Sequence, residues 1–240
     1  VIFNSKNSQS RGVAIFFRKN LPVEILNTFF DDTGNILSVK FTFESRTLLL
    51  TGIYGPNTDS PDFYENKCFP LIQKFDPDFS IFCGDWNMTL QQDLDNHNYM
   101  HVNNPRAKAA VIKNMEELNL CDIWRDLNPD TKTFSWVKRD PLKMARLDYF
   151  LISEHLSPYV IKSHIAPGFK SDHSLVSLEE CGGVCVVECG GVCVRPVLVR
   201  SLKLSTPSTS CKNGWVTIHY CSTFRVRFPH SFTNWLPHIQ

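Results

Sequence analysis

A carboxylate and an amide stand two residues apart in the sequence GDWN at 84–87, directly after an apolar run over 79–83. At the end of a strand, Asp85 and Asn87 project the same way from the pleat. A carboxylate in this position can orient or deprotonate a water molecule, and an amide can donate to a phosphoryl oxygen. The same residue types are ordinary turn formers, so this motif alone leaves both interpretations open.

A second group combines Asp148, inside the apolar run 147–152, with the sequence SDH at 171–173. A lone aspartate buried in a strand is costly without a partner. His173 is the natural partner, because a carboxylate fixes the tautomer of an imidazole and keeps it cationic. A solvent-facing Asp148 on an alternating strand is the alternative. Tyr54 adds a phenol where a strand runs into GPN at 55–57, which by itself indicates only a strand exit.

The elements that must position these residues are paired strands interrupted by helices. Apolar residues at helical spacing predict helices over 61–75 and 105–120. Strands 34–44 and 46–54 read as an antiparallel hairpin, and this order of elements is typical of an α/β sandwich of mixed sheets. Short β-branched and aromatic runs predict the strands at 11–17, 34–44, 46–54, 79–83, 133–137, 146–152 and 160–165.

The composition excludes some classes of protein and leaves others open. With 240 residues, 42% of them apolar, the chain can bury one sizeable core or two small ones. It has neither an eighteen-residue apolar run nor a basic–apolar leader, so we expect no membrane span and no secretory signal. Residues 181–240 hold six Lys and Arg and one Glu. Residues 1–180 hold 19 Lys and Arg and 23 Asp and Glu. The slightly acidic front part shows no basic stripe, but a bound divalent metal could supply positive charge there.

The character of the chain changes at Glu180. The sequence ECGGVCVV at 180–187 recurs as ECGGVCV at 188–194, and six of the nine cysteines lie in the last sixty residues. Two copies are too few for a solenoid. We therefore expect one domain over 1–179 and a cysteine-rich repeat followed by a disordered tail, or ill-fitting strands, over 180–240. The C-x3-C spacing from Cys181 to Cys193 is compatible with a zinc-binding module. Repetitive coding sequence without a role explains the repeat equally well.

Read together, four ordered motifs resemble the endonuclease/exonuclease/phosphatase superfamily, which includes apurinic-site endonucleases, exonuclease III, DNase I and LINE retrotransposon endonucleases. They are GIYGPN (52–57), CGDWN (83–87), RLDYFLIS (146–153) and SDHSLV (171–176). SRGVAIFF (10–17) and LCDIWRDLNPDTKTFSW (120–136) are closest to the LINE branch. The resemblance covers roughly 1–178. It implies a four-layer α/β sandwich of two mixed β-sheets flanked by helices.

The resemblance also implies an activity, namely Mg²⁺-dependent hydrolysis of DNA phosphodiesters, by endonuclease nicking or 3′–5′ exonuclease trimming. Carried over residue by residue, Tyr54 hydrogen-bonds the scissile phosphate. Asp85 activates the attacking water and Asn87 binds the phosphoryl oxygens. Asp148 holds His173, which faces the charge that develops on phosphorus.

Further residues complete the implied site. Asp172 serves the metal or the leaving oxygen, and Asp85 is the second metal-binding candidate. Thr133 and Ser135 are expected to contact DNA. The expected cofactor is Mg²⁺, with Mn²⁺ as a substitute, and the expected partner is DNA, with no membrane and no obligate protein partner. We expect an intracellular, nuclear location, because Cys68, Cys83 and Cys121 lie far apart in apolar contexts typical of reduced core thiols.

The chain also departs from the family pattern. The family begins with a strand ending in Asn, a helix, and a strand carrying a metal-binding Glu, whereas Val1 already aligns just after them. Asn4 and Glu44 lie in the wrong strand context to replace these residues. We therefore expect the first β-α-β segment to be missing and the activity to be impaired. Two rivals stay open: a catalytically dead retroelement remnant that at most binds DNA, and a phosphatase of the same superfamily, against which the 120–136 segment argues.

Overall fold

The strands form two six-stranded sheets and one small three-stranded sheet. The computed structural model describes residues 1–6, 12–17, 21–43, 45–166 and 171–180, and the backbone alone of two further strands. In chain order the strands are β1 (Ile2–Ser5), β2 (Gly12–Phe17), β3 (Glu24–Phe30), β4 (Ile36–Phe43), β5 (Arg46–Tyr54), β6 (Phe79–Asp85), β7 (Asn96–His97), β8 (Leu120–Asp122), β9 (Trp136–Arg139), β10 (Leu142–Ala145), β11 (Asp148–Ser153), β12 (Val160–Ala166), β13 (Leu175–Glu180), β14 (Gly183–Cys189) and β15 (Val216–Cys221).

Both large sheets are mixed, as the sequence predicts. The first has the order β1-β2-β15-β14-β13-β12, with β14 and β15 parallel. The second has the order β3-β4-β5-β6-β11-β8, with β5 and β6 parallel. The predicted hairpin is confirmed as β4 and β5, which are antiparallel and are joined at Ser45, where φ is 66°. The small sheet has the order β7-β10-β9.

The hydrophobic core has two parts, one on each face of the second sheet. Because side chains alternate along a strand, Leu48 and Leu50 of β5 pack between the two sheets, whereas Leu49 packs against the helices. All seven residues of β6 are buried, since this central strand is covered on both faces. Burying one such side chain contributes on the order of 1.5–3 kcal/mol, so the cores hold the strand ends described below in place.

Both predicted helices are present with altered bounds, and three short helical segments were not predicted. The predicted helix 61–75 is divided at Pro70, which has no N–H to donate to the preceding turn. The predicted helix 105–120 ends earlier, because Asn119 adopts a left-handed φ of 50° and Leu120 begins β8. The helical segments are a π-helical stretch (Phe63–Cys68), α1 (Pro70–Phe75), α2 (Gln92–Asp95), α3 (Pro105–Glu117), α4 (Ile123–Leu127) and a 3₁₀ helix (Glu154–Tyr159).

Strands β14 and β15 lie beyond the predicted domain boundary. Their backbones pair with β13 and β2, respectively. The side chains of the cysteine repeat, and the remainder of 181–240, lie outside the described residues. The boundary, the disordered tail and the zinc module therefore stay predictions. Within the described part of the chain, no helix combines the length and the apolar character that crossing a membrane requires.

Candidate active site

Three of the predicted residues lie side by side at one end of the central strands of the second sheet. Tyr54 ends β5, Asp85 ends β6 and Asp148 begins β11. Tyr54 lies opposite Asp85, and Asp85 lies opposite Asp148. Directly opposite residues on neighbouring strands point to the same face, with Cβ atoms about 4.5–5.5 Å apart. The register of the sheet alone therefore gathers a phenol and two carboxylates, all of them buried.

Gly84 allows this close approach of strands. Its φ is 141°, a conformation that favours glycine, and a Cβ at this position would collide with the carbonyl oxygen of Ile53. The glycine before Asp85 is thus required by the packing of β6 against β5.

His173 reaches this end of the strands from the loop before β13. Its Nδ1 lies 2.8 Å from Oδ2 of Asp148, and its Nε2 lies 4.0 Å from Oδ2 of Asp85. The histidine side chain is 13% exposed and Asp148 is fully buried. The bond at Nδ1 fixes the ring orientation, so that Nε2 faces Asp85.

Asn87 lies beside the carboxylate of Asp85. Its backbone N–H donates to Oδ1 of Asp85 at 2.9 Å, and its side-chain amide donates to the carbonyl oxygen of Gly55 at 2.7 Å. The residue adopts a left-handed φ of 52°. The side-chain amides of Asn103 and Asn104 both donate to its carbonyl oxygen, at 3.0 and 2.9 Å. These bonds hold the turn that follows Asp85.

Asp172 is the most exposed of the predicted carboxylates at the site. Its Oδ2 accepts a hydrogen bond from the indole N–H of Trp136 at 3.1 Å, and its carbonyl oxygen accepts from Val137 N–H at 3.0 Å. Trp136 also forms an isolated antiparallel bridge with His173. The loop that carries the histidine is therefore attached to β9, a contact that the sequence did not reveal.

Ser135 lies beneath the start of β11. This side chain is completely buried, and its Oγ accepts hydrogen bonds from the backbone N–H groups of Leu147 and Asp148, both at 2.9 Å. Its predicted contact with DNA stays a prediction. Thr133 is half-buried, and its DNA contact stays a prediction.

Asn4 serves the neighbouring turn. Its side-chain amide donates to the carbonyl oxygen of Asp31 at 2.9 Å, to the Asp31 carboxylate at 2.9 Å and to the carbonyl oxygen of Ile36 at 2.8 Å. Through these hydrogen bonds the Asn4 side chain connects β1 to the turn before β4 and to the start of β4. Glu44 lies outside the described residues.

The charges at the site shift two pKa values upward. Burial lowers the pKa of His173, but the charge and hydrogen bond of Asp148, followed by the charges of Asp85 and Asp172, raise it to about 9. Burial and the charge of Asp148 raise the pKa of Asp85 to about 7, against the opposing effects of His173 and the Asn87 N–H. Near neutral pH the histidine is therefore cationic.

A buried four-charge cluster lies under the start of β11. The Arg146 guanidinium bonds Asp95 at 2.8 Å and Asp122 at 2.5 Å, and Arg125 bonds Asp95 at 2.6 Å. Despite burial, the two arginines hold the pKa of Asp95 below its usual value. Asp122 accepts hydrogen bonds from the Arg146 guanidinium and from the backbone N–H of Arg125, but burial raises its pKa. The signal for this cluster in the sequence is the presence of charged residues within apolar runs, at 120–125 and 146–152.

The donor set fits a hard divalent cation. Ligand atoms of Asp85, Asp148 and His173 lie within 4.8 Å of one another. Oδ1 of Asp148 is buried and has no hydrogen-bond partner among the described residues. Carboxylate oxygens suit Mg²⁺ and Mn²⁺. A cationic His173 has no lone pair to offer, so the carboxylates are the residues that would hold the ion.

The family follows from one comparison. Residues 4–173 match the model of the Endonuclease/Exonuclease/phosphatase family. This chain belongs to that family. The predicted fold class is thereby confirmed, and members of the family depend on a divalent metal.

Two proteins are similar to this chain in sequence. The Transposon TX1 uncharacterized 149 kDa protein of Xenopus laevis is 29% identical over 183 residues, covering 74% of this chain and 14% of that protein. Recombination repair protein 1 of Drosophila melanogaster is 28% identical over 190 residues, covering 70% and 27%. The chain thus spans about a seventh and about a quarter of the length of these relatives.

Solved structures show the same fold. The AP endonuclease LMAP from Leishmania major gives a TM-score of 0.53 at 18% identity, covering 70% of each chain. The endonuclease domain of TRAS1, a telomere-specific non-LTR retrotransposon, gives 0.51 at 18% identity, covering 71% of this chain and 80% of that one. The predicted resemblance to apurinic-site and retrotransposon endonucleases is confirmed at the level of family and fold.

Proposed function

We propose that this chain is a Mg²⁺-dependent DNA phosphodiester hydrolase of the retrotransposon-endonuclease type. The observation that carries the proposal is the 2.8 Å contact between Asp148 and a cationic His173 whose Nε2 faces Asp85. This arrangement places an acceptor for the proton of a water, Oδ2 of Asp85, 4.0 Å from a cationic donor for a phosphoryl oxygen, Nε2 of His173.

Each residue has a defined task in the proposed reaction. Oδ1 of Asp85 is held by the Asn87 N–H, which leaves Oδ2 to accept a proton from the attacking water. Nε2–H of His173 donates to an oxygen of the phosphate as negative charge grows there. Asp148 keeps the imidazole protonated and oriented. The bond between phosphorus and the leaving oxygen breaks as the water adds. Tyr54 and Asn87 are assigned to binding the scissile phosphate, and Asp172 to the metal or the leaving oxygen, as the family resemblance implies.

The carboxylates of Asp85 and Asp172, with the unpartnered Oδ1 of Asp148, would hold the metal ion. When bound, Mg²⁺ supplies a Lewis acid that polarises the phosphoryl group, and Mn²⁺ is the expected substitute. Because the family's metal-binding Glu is not among residues 1–240, we propose that this chain alone is a weak enzyme.

DNA as the substrate is supported by the relatives and by surface charge. The similar structures include AP endonucleases and a retrotransposon endonuclease. Lys138, Arg139 and Lys143 lie on the β9–β10 hairpin, next to the attachment of the histidine loop at Trp136. Cations in this position could contact backbone phosphates on either side of the scissile bond.

The test is nicking of supercoiled plasmid in Mg²⁺ by residues 1–240 and by a version extended upstream with a family β-α-β segment. The short chain should nick weakly. The extended version should be at least roughly 100-fold faster, and His173→Ala or a chelator should abolish its nicking. Asp78→Asn is the matched control, since Asp78 precedes β6 at the end opposite Asp85 and its carboxylate contacts Thr47 and Arg46 rather than the site.

The outcomes separate the rivals. DNA binding without nicking by the extended version would favour an inert retroelement remnant. Phosphate release from inositol phosphates without nicking would favour a phosphatase. Nicking by residues 1–240 at the rate of the extended version would contradict the proposed weakness of the short chain.

A further inference from the structure

Ser135 connects the two halves of the Asp148–His173 pair. Its Oγ accepts from the N–H groups of Leu147 and Asp148, each at 2.9 Å. Its carbonyl oxygen accepts from the N–H of Ser174, the residue after the histidine, at 2.6 Å. One residue therefore contacts the backbone of the strand that carries the carboxylate and the backbone of the loop that carries the imidazole.

The hydroxyl of Ser135 is fully committed as an acceptor. A serine oxygen has two acceptor lone pairs, and both are used by backbone N–H groups at the start of β11. If this oxygen were removed, both N–H groups would be buried with no hydrogen-bond acceptor. The start of β11 would then have to move so that they could find another acceptor. Asp148 is the first residue of β11, so its carboxylate would move as well.

Further backbone hydrogen bonds connect the segment 135–137 to the loop that carries His173. Val137 N–H donates to the carbonyl oxygen of Asp172 at 3.0 Å, and Trp136 bridges His173. Ser135 N–H donates to Ala145 O at 3.0 Å. The segment 135–137 thus sets the position of the loop, and the Ser135 hydroxyl sets the position of the strand relative to it.

We propose that Ser135 is a positioning residue of the active site, which holds Asp148 and His173 in hydrogen-bonding register and does not touch DNA. The inference rests on the proposed function for its kinetic consequence only. Its structural content, the dependence of the 2.8 Å contact on one buried hydroxyl, can be tested without turnover.

The chain offers a matched control on the same strand. Ser153, at the other end of β11, is also buried, and its Oγ also accepts from a backbone N–H, that of Ser80, at 2.9 Å. Five residues separate it from Asp148, about 16 Å along the strand. Ser135→Ala and Ser153→Ala therefore remove the same group from similar surroundings, but only the first lies at the site.

The experiment compares the two variants in the 240-residue chain. Nicking of a short duplex gives kcat and KM. NMR gives the amide exchange rates of Leu147 and Asp148 and the slowly exchanging Nδ1 proton of His173. Ser135→Ala should lower kcat by about 10–100-fold with KM unchanged, speed exchange at both amides and weaken the Nδ1 signal. Ser153→Ala should leave kcat and that signal unchanged.

Equal kcat losses in the two variants would reduce Ser135 to a contributor to stability and overturn the inference. A raised KM with unchanged kcat in Ser135→Ala would do the same, in favour of a DNA contact. If the parent chain does not nick DNA at all, the proposed function is in question, and NMR decides the inference alone. Loss of the Nδ1 signal in Ser135→Ala only would support it, and retention in both variants would overturn it.

Discussion

Replacing Asp148 with Asn should lower the pKa of His173 substantially in the metal-free protein. In the parent the pKa is raised from 6.5 to about 9, although burial lowers it, because the charge and hydrogen bond of Asp148 outweigh burial. An opposite charge at this range is worth roughly 1–3 in pKa. We therefore expect a value between about 6 and 8 in the variant, which corresponds to roughly 1–4 kcal/mol lost from the cationic form.

The measurement is an NMR titration of the imidazole resonances in the presence of a chelator. The chain has eight histidines, so seven internal references report any general change in the fold. Asp172→Asn is the comparison variant, because the charge of Asp172 contributes less to the pKa of His173 than those of Asp148 and Asp85. Its titration should move in the same direction by a smaller amount.

The same shift fixes how stability depends on pH. The pKa of His173 is higher in the folded chain than in the unfolded one, so its stabilisation is complete below about 6.5 and is lost as pH rises through about 9. The Asp148→Asn variant should lose most of this dependence. An unchanged pKa near 9 in Asp148→Asn, or a larger fall in Asp172→Asn, would refute the electrostatic account of the pair.

Three further predictions concern stability and metal binding. Arg146→Met leaves two buried carboxylates short of a cationic partner and should cost about 3–5 kcal/mol in urea unfolding, whereas Lys113→Met, at an exposed position of α3, should cost less than about 0.5 kcal/mol. Gly84→Ala should give no soluble folded protein by circular dichroism, because its Cβ would collide with the carbonyl oxygen of Ile53; a native-like spectrum would contradict this packing. Mg²⁺ should raise the melting temperature more at pH 8 than at pH 5.5, because below about 7 a proton occupies Asp85; equal shifts would contradict that competition.

The strands and the central pair could be predicted because their signals are local or energetic. Apolar alternation located the β4–β5 hairpin. The cost of burying a lone Asp148 predicted His173, 25 positions away, as its partner. In the structure Nδ1 of His173 lies 2.8 Å from Oδ2 of Asp148. No alternation rule was needed for that pairing, since a buried carboxylate within reach of one histidine has few other ways to be satisfied.

Other features depend on tertiary contacts that spacing does not encode. Ser135 stands between two aromatic residues in a predicted strand, and only its packing against the start of β11 makes it an acceptor for two buried N–H groups. Asp95 and Arg146 are 51 positions apart, with several helices and strands between them, so their bond depends on how those elements pack. Pro70 is a signal for a division of the first helix, because proline cannot donate a hydrogen bond to the preceding turn. The apolar residues keep helical spacing on both sides of it, so the pattern predicted one continuous helix.

The pKa of Asp85 connects the proton and the metal in one argument. Asp148 and cationic His173 neutralise each other, so Asp85 is the carboxylate whose charge has no compensating partner of its own. Burial and the charge of Asp148 therefore raise its pKa to about 7, and below that value it is satisfied by a proton. A divalent cation held by Asp85 and the unpartnered Oδ1 of Asp148 would satisfy the same charge and displace that proton. Asp85 can accept a proton from water only when it is ionised, so the cation and the rise in pH prepare the site in the same way.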